Sequence, residues 1–413
     1  MVMMLKKTVK KGLIGGMSFA KDAGKINWFP GHMAAATRAI RSRLKLSDLV
    51  IEVRDARVRN HTQNIYIPLS SANEDLQSQM SAKRRIIALN KKDLANPNVL
   101  NKWTRHFESS QQDCIAINAH SRSSVMKLLD LVELKLKEVI ARQPTLLVMV
   151  VGVPNVGKSA LINSVHQIAA SRFPGKILAS LMIGSSMQER LKRATVGPLP
   201  GVTQDIAGFK IAHRPSIYVL DSPGVLVPSI PDIETGLKLA LSGSVKDSVV
   251  GEERIAQFFL AILNIRGTPL HWKYLVEGRN EGSHADCIDK PSYNLKDLRH
   301  QRAKQPDSSA LHYVGVSCHL QDMISEVQRS LYTTLSEFDG DIENENDLEC
   351  LIEQQFEVLQ KALKISNKAS EARLMVSKKF LTLFRTGRLG PFILDDVPET
   401  VTDPPKSRRV VVL

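Results

Sequence analysis

Short apolar runs and helical stripes alternate along the first half of the chain. Asp48 to Val53, Arg84 to Leu89, Cys114 to Ile117, Leu146 to Val151 and Ile217 to Leu220 read as strands. Met33, Ala36, Ile40 and Leu44 share one face of a helix and leave Arg38, Arg41 and Lys45 for solvent or a partner. Val125, Leu128, Leu129, Val132, Leu136 and Val139 give a second helix that closes near Pro144, and Ala160 to Ile168 gives a third. This alternation predicts an α/β fold, with a mostly parallel sheet and helices on both faces. After about residue 230 the strand signal fades. Residues 232–265 and 345–386 read helical, with Leu348, Ile352, Leu359 and Leu363 spaced to face a small core, so an all-α C-terminal domain is expected. Two stretches lack periodicity: the Gly- and Ser-containing segment 175–187, read as a lengthened loop, and the polar insertion 277–310. The expected organisation is a basic leader 1–25, an α/β domain 26–230, a helical domain 231–395 and a tail 396–413.

Composition narrows the class. With 413 residues there is room for two or three domains. No apolar run approaches the roughly 20 residues of a membrane span; a peripheral membrane contact stays open. The four cysteines form no C-x-x-C pair, which argues against a zinc site or a disulfide framework. Fifty-six Lys and Arg against 42 Asp and Glu leave a net charge of +14, which favours an anionic partner. The charge is uneven. Residues 1–50 hold ten Lys or Arg against Asp22 and Asp48, and residues 361–390 hold eight against Glu371. Two basic zones suit RNA phosphates, and Arg373, Lys378, Lys379, Arg385 and Arg388 are the expected contacts of the second. The leader has no acid before Asp22, so it reads either as a mitochondrial targeting segment or as a basic RNA-touching tail.

Four motifs carry chemistry. Gly152-Val153-Pro154-Asn155-Val156-Gly157-Lys158-Ser159 lies between an expected strand and an expected helix, the context a phosphate-binding loop requires. Its backbone N–H groups, with those of Asn155, Val156, Gly157 and the following Ala160 among them, are expected to face phosphates. Lys158 is expected to reach the β- and γ-phosphates and Ser159 to ligate Mg²⁺. Asn90-Lys91-Lys92-Asp93 is expected to read guanine: the Asp93 carboxylate accepts from N1–H and the exocyclic amine, a donor pair adenine lacks. Asn90 would brace the adjoining loop and the Lys91 stem would cover the base. Asn118-Ala119 follows another strand, and the Ala119 N–H is expected to meet guanine O6. In Pro200-Gly201-Val202-Thr203, Thr203 is expected to ligate Mg²⁺. In Asp221-Ser222-Pro223-Gly224, Asp221 is expected to hold Mg²⁺ through water and Gly224 to offer an N–H to the γ-phosphate. Val225 follows, where many GTPases have a glutamine that orients the attacking water.

The base reader stands ahead of the phosphate loop, the reverse of an ordinary GTPase, and this order marks a circularly permuted one. With Asn27-Trp28-Phe29-Pro30-Gly31-His32-Met33 and Asp55-Ala56-Arg57, the chain resembles the ribosome-biogenesis GTPase A (YlqF) family over residues 25–272 and 345–395. The resemblance implies that His32 stands in for the missing glutamine and that Asn155 is linked to K⁺ dependence. It also implies a GTP hydrolase that assists assembly of the mitochondrial large ribosomal subunit on its rRNA, in the matrix or at the inner-membrane periphery. His32, Lys158 and Thr203 are then the expected catalytic residues. A translational or signalling GTPase with a protein partner, a non-hydrolysing RNA-binding scaffold and a cytoplasmic location are the alternatives.

Overall fold

The computed structural model describes residues 16–21, 31–57, 84–172, 207–213, 216–225, 233–277, 309–366 and 371–394. Thr203, the Trp28-Phe29-Pro30 stretch, the segment 175–187, most of 277–310 and the tail lie outside the described residues, as does the side chain of His32. The elements are α1 (Ser18–Lys21), α2 (Gly31–Leu46), β1 (Leu49–Asp55), β2 (Arg84–Asn90), α3 (Pro97–Ser109), β3 (Asp113–Ala116), α4 (Arg122–Ile140), β4 (Thr145–Val151), α5 (Lys158–Arg172), β5 (Ala207–His213), β6 (Ser216–Asp221), α6 (Ile233–Leu241), α7 (Asp247–Val250), α8 (Glu252–Arg266), α9 (Leu270–Glu277), α10 (Ser309–Ser336), α11 (Glu345–Ala362) and α12 (Ala372–Arg385).

The strands form one six-stranded sheet in the order β3-β2-β1-β4-β6-β5. Four of its pairings are parallel, and the edge strand β5 joins β6 antiparallel. The expected α/β class holds. Strand β2 shows why both faces are covered. Ile86 and Ala88 pack with Val125, Leu128, Val132 and Leu136 of α4 and with Leu161, Ile162, Val165 and Ile168 of α5. Ile87 and Leu89, pointing the other way, pack with Ala95 and Leu100. Strands buried on both faces carry continuous apolar runs, and each fully buried Leu, Ile or Val side chain contributes roughly 1.5–3 kcal/mol. Helix α2 buries Met33, Ala36, Ile40 and Leu44, the stripe its sequence spells out. Helix α3 starts at a defined cap: Asn96 Oδ1 accepts from the N–H groups of Asn98 and Val99, and Pro97 takes the first helical position.

The chain groups into two compact units, one of residues 1–18 and 256–384, the other of residues 19–255 and 385–413. The first is helical. The Phe259 ring lies tilted against those of Phe380 and Phe384, with centroids 5.0 and 4.5 Å apart, while Asn264 and Gln355 exchange hydrogen bonds of 2.9 and 2.7 Å in the interior. Leu348, Ile352, Leu359 and Leu363 are buried there. Arg373, expected to be available for phosphates, instead forks onto Glu353 at 2.5 and 2.7 Å and lies over the Phe356 ring. The second unit holds the sheet.

Candidate nucleotide site

Parallel pairing brings the candidate motifs to one edge of the sheet. Asp55 and Asn90 are register partners at the ends of β1 and β2, and Val150 pairs with Asp221 across β4 and β6. Loops leaving the C-terminal ends of parallel strands are where ligands bind in open α/β sheets. The chain turns from β4 through residues 152–157 into α5, whose first residue is Lys158. This is the strand–loop–helix context the phosphate loop needs, with the helix N-terminus facing the site.

Two glycines make the loop feasible. Gly157 has φ 94°, and a Cβ there would collide with the Asn90 amide. A Cβ on Gly224 would stand 2.6 Å from the Pro154 Cα, so the loop after β6 runs directly against the phosphate loop. Asn155 sits at φ 60°, a left-handed conformation that needs outside support in a non-glycine residue.

The base-reading and phosphate loops are bonded to each other. Asn90 Nδ2 donates to the Val156 carbonyl at 2.8 Å, and Asn90 Oδ1 accepts from the Ala119 N–H at 2.9 Å. Asn90 thus braces two loops. The Ala119 N–H, expected to meet guanine O6, is given to Asn90 here. The neighbouring amides are likewise used locally: Asn118 N–H bonds Ser124 Oγ at 2.9 Å and His120 N–H bonds Asn118 Oδ1 at 2.8 Å. Lys91 Nζ donates to the Asn155 carbonyl at 2.8 Å and to Asp55 Oδ2 at 2.9 Å. Asp93, in the short 3₁₀ turn after β2, is exposed rather than buried. A carboxylate so placed can discriminate between bases only when a base covers it, because only then does an unmatched carboxylate lose water without compensation.

The Asp55-Ala56-Arg57 motif is structural glue beside this reader. Arg57 is fully buried and holds Asp55 through its backbone N–H at 3.0 Å, Nε at 3.1 Å and Nη2 at 2.9 Å. Burial alone would raise the Asp55 pKa. The Arg57 guanidinium and the Lys91 ammonium more than offset that and hold it well below the usual carboxylate range. Sequence reasoning singled out the motif but not the Asp55–Lys91 bond, since nothing in one sequence joins residues 36 positions apart.

On the phosphate side, Lys158 is buried and donates to the carbonyls of Gly152 at 3.0 Å and Val153 at 2.9 Å. Burial pushes its pKa down to about 8, against the attraction of Asp221. Burial also raises the Asp221 pKa, opposed by Lys158 and by bonds from Ser159 and Ser222. Ser159 Oγ donates to Asp221 Oδ2 at 3.1 Å. Asp221 Oδ1 is buried without a hydrogen-bond partner among the described residues. A serine hydroxyl and an orphaned carboxylate oxygen side by side are an oxygen donor set suited to Mg²⁺. Val225 is buried at 3% exposure, so the residue after Gly224 turns into the interior and offers no group to water.

Guanine-type reader, phosphate loop and acidic strand end on a parallel sheet define a GTPase of the phosphate-loop class, permuted so that the reader comes first in the chain. A family profile described as "50S ribosome-binding GTPase" matches residues 147–255. The chain is 89% identical over its whole length, and over the whole of the relative, to "Short integuments 2, mitochondrial" of Arabidopsis thaliana. It is 39% identical to "DAR GTPase 2, mitochondrial" of the same plant, over 90% of each chain. "Ribosome biogenesis GTPase A" of Bacillus pumilus is 33% identical, over 58% of this chain and 75% of the relative. The chain belongs to the family that unites the mitochondrial DAR GTPases with ribosome biogenesis GTPase A. It is a mitochondrial GTP hydrolase, and as a member of this class it uses GTP as substrate with Mg²⁺. Among the described residues no helix is long and apolar enough to cross a membrane.

Proposed function

We propose that the chain is an assembly factor for the mitochondrial large ribosomal subunit, docking on rRNA in a GTP-dependent way and leaving after hydrolysis. The observation that carries this reading is the joined guanine and phosphate site in a chain related to a ribosome biogenesis GTPase over most of that relative's length. Relatives named mitochondrial supply the compartment, and the net charge of +14 suits an RNA surface.

In this reading Asp93 selects guanine, and Asn155, Val156, Gly157, Lys158, Ser159 and Ala160 face the phosphates. Ser159 and Thr203 would ligate Mg²⁺ and Asp221 would hold it through water; the ion would supply positive charge against that on the phosphate oxygens. Gly224 gives its N–H to the γ-phosphate. With Val225 turned inward, His32 positions the attacking water, and Asn155 is the residue through which K⁺ acts. Differential affinity of the GTP and GDP states for the subunit then drives docking and release.

Co-sedimentation of the full chain with mitochondrial large subunits tests the proposal. Retention with a non-hydrolysable GTP analogue and loss with GDP is the expected result. Equal sedimentation in both nucleotides, or none in either, overturns it.

A further inference from the structure

Arg385 was a sequence candidate for phosphate contact, yet its guanidinium is engaged inside the protein. Nη1 and Nη2 fork onto Asp247 at 2.7 and 2.6 Å. Nη2 also donates to the Ala240 carbonyl at 2.8 Å, and Nε to the Leu241 carbonyl at 3.1 Å. Ala240 and Leu241 are the last two residues of α6, so the guanidinium caps the helix end where unpaired carbonyls and the negative end of the dipole gather. The chain leaves that end through Gly243 at φ 80°. The Gly243 carbonyl accepts Asn155 Nδ2 at 2.7 Å, and Ser244 Oγ donates to the Pro154 carbonyl at 2.9 Å. The turn that Arg385 folds is thus the turn that grips two consecutive residues of the 152–159 loop.

A second route leads to the same place. The Arg385 carbonyl accepts Arg57 Nη1 at 3.3 Å. Arg57 forks onto Asp55, Asp55 holds Lys91, and Lys91 donates to the Asn155 carbonyl. Both routes end on Asn155, whose left-handed backbone persists only where its surroundings over-determine it.

We infer that Arg385, with Asp247 as its counter-charge, is a positioning residue for nucleotide binding, fixing the 240–247 turn and through it the backbone N–H cradle of the phosphate loop. The inference rests on reading residues 152–159 as that loop. Among the described residues, Arg385 reaches the site through the 240–247 turn and the Arg57 chain. A loosened cradle weakens the grip on phosphates and leaves the choice of base alone, because the Asp93 carboxylate takes no part in the bonds of either route.

Binding titrations of the full chain with GDP, GTP and inosine triphosphate test this. Arg385→Ala is expected to raise the Kd for all three by roughly 2- to 30-fold, the range of coupling carried by residues off the ligand. Stoichiometry stays near one site per chain, and the ratio of GTP to inosine triphosphate affinity stays at the wild-type value. Arg385→Lys keeps the charge without the fork and gives a smaller rise of the same pattern. Asp247→Asn behaves similarly and adds little to Arg385→Ala when combined, since both break one interaction. Wild-type Kd values in both Arg385 variants overturn the inference. So does lowered stoichiometry with an unchanged Kd in both, which marks a residue needed only for folding, and so does an altered base preference. Lys158→Ala run alongside separates the two readings. If it binds GTP normally, the phosphate-loop reading fails; if it binds poorly while the Arg385 variants bind normally, only the role of Arg385 fails.

Discussion

Asn90 and Val156 are joined by a 2.8 Å hydrogen bond that ties the base-reading loop to the phosphate loop across 66 residues of sequence. Asn90→Ala would strand the Val156 carbonyl and, on its other side, the Ala119 N–H. Each buried group left unpaired costs about 1–3 kcal/mol. The expected outcome is a fold destabilised by that order in denaturant titration, with GDP and GTP affinity reduced together. An unchanged midpoint and unchanged affinities would remove Asn90 from this bracing role.

Asp93 is the proposed base reader. Asp93→Asn replaces an acceptor by an amide, which matches xanthine, where a carbonyl stands in place of the exocyclic amine. GTP affinity should fall and xanthosine triphosphate affinity should rise, with little change in stability, because Asp93 is exposed in the free protein. Competition titration of the two nucleotides measures this, and a retained GTP preference would move the reader elsewhere.

Lys158 should give nucleotide binding a pH dependence. Its pKa in the fold is about 8, lowered by burial from 10.5. Bound phosphate favours the ammonium, so above pH 8 binding must take up a proton. GTP affinity should therefore decline as pH rises from about 8 towards 10.5, by at most about tenfold per unit. The ligand-free fold goes the opposite way. In that window the unfolded chain binds the extra proton, so stability contributed by this group increases with pH. Lys158→Arg keeps its charge and should flatten the affinity profile whatever it does to affinity at pH 7. Calorimetry in buffers of different ionisation enthalpy detects the proton directly, and wild-type binding without proton uptake at pH 9 contradicts the assignment.

Val225, turned inward, offers no group that could position a water, and His32 is the proposed substitute. His32→Ala should slow hydrolysis by up to about 10²-fold, with GTP affinity nearly unchanged. Single-turnover measurements with the ribosomal subunit present decide the matter; equal rates in wild type and variant exclude His32.

RNA binding by the helical unit should run through Lys378 and Lys379, whose side chains are exposed, rather than through Arg373, whose guanidinium forks onto Glu353. Lys378→Ala with Lys379→Ala should weaken subunit binding and flatten its salt dependence, by roughly 0.7–0.9 in slope for each phosphate that the variant no longer neutralises. Arg373→Gln should leave that slope alone. The reverse result would return the RNA face to Arg373.

Strands of a sheet covered on both faces announce themselves as continuous apolar runs, and β1, β2, β3, β4 and β6 were legible to within a residue or two for that reason. Edge strand β5 was not, because Ala207–His213 contains two alanines, a glycine and no sustained apolar run. Helix α3 was also missed, although Asn96 and Pro97 spelled out its start. So was α10, whose Ile324, Val327 and Leu331 lie at helical spacing and are buried. The nucleotide motifs were legible because backbone-mediated phosphate binding demands fixed glycines and a lysine at fixed offsets. The Arg385–Asp247 fork was not. A sequence displays a charge but not its partner, and these two stand 138 residues apart.

After Arg385 the chain returns to the base-reading turn. Gly387 packs against Leu94, Phe392 N–H bonds the Leu94 carbonyl at 3.2 Å, and Leu394 N–H bonds the Arg57 carbonyl at 2.8 Å. Synthesis proceeds from the N-terminus, and domains generally fold as their residues emerge. Here the segment of Asn90 to Leu94 is made long before the residues that clasp it. A nascent chain stopped before Arg385 has every GTP motif and lacks the segment that bonds to the turn after β2.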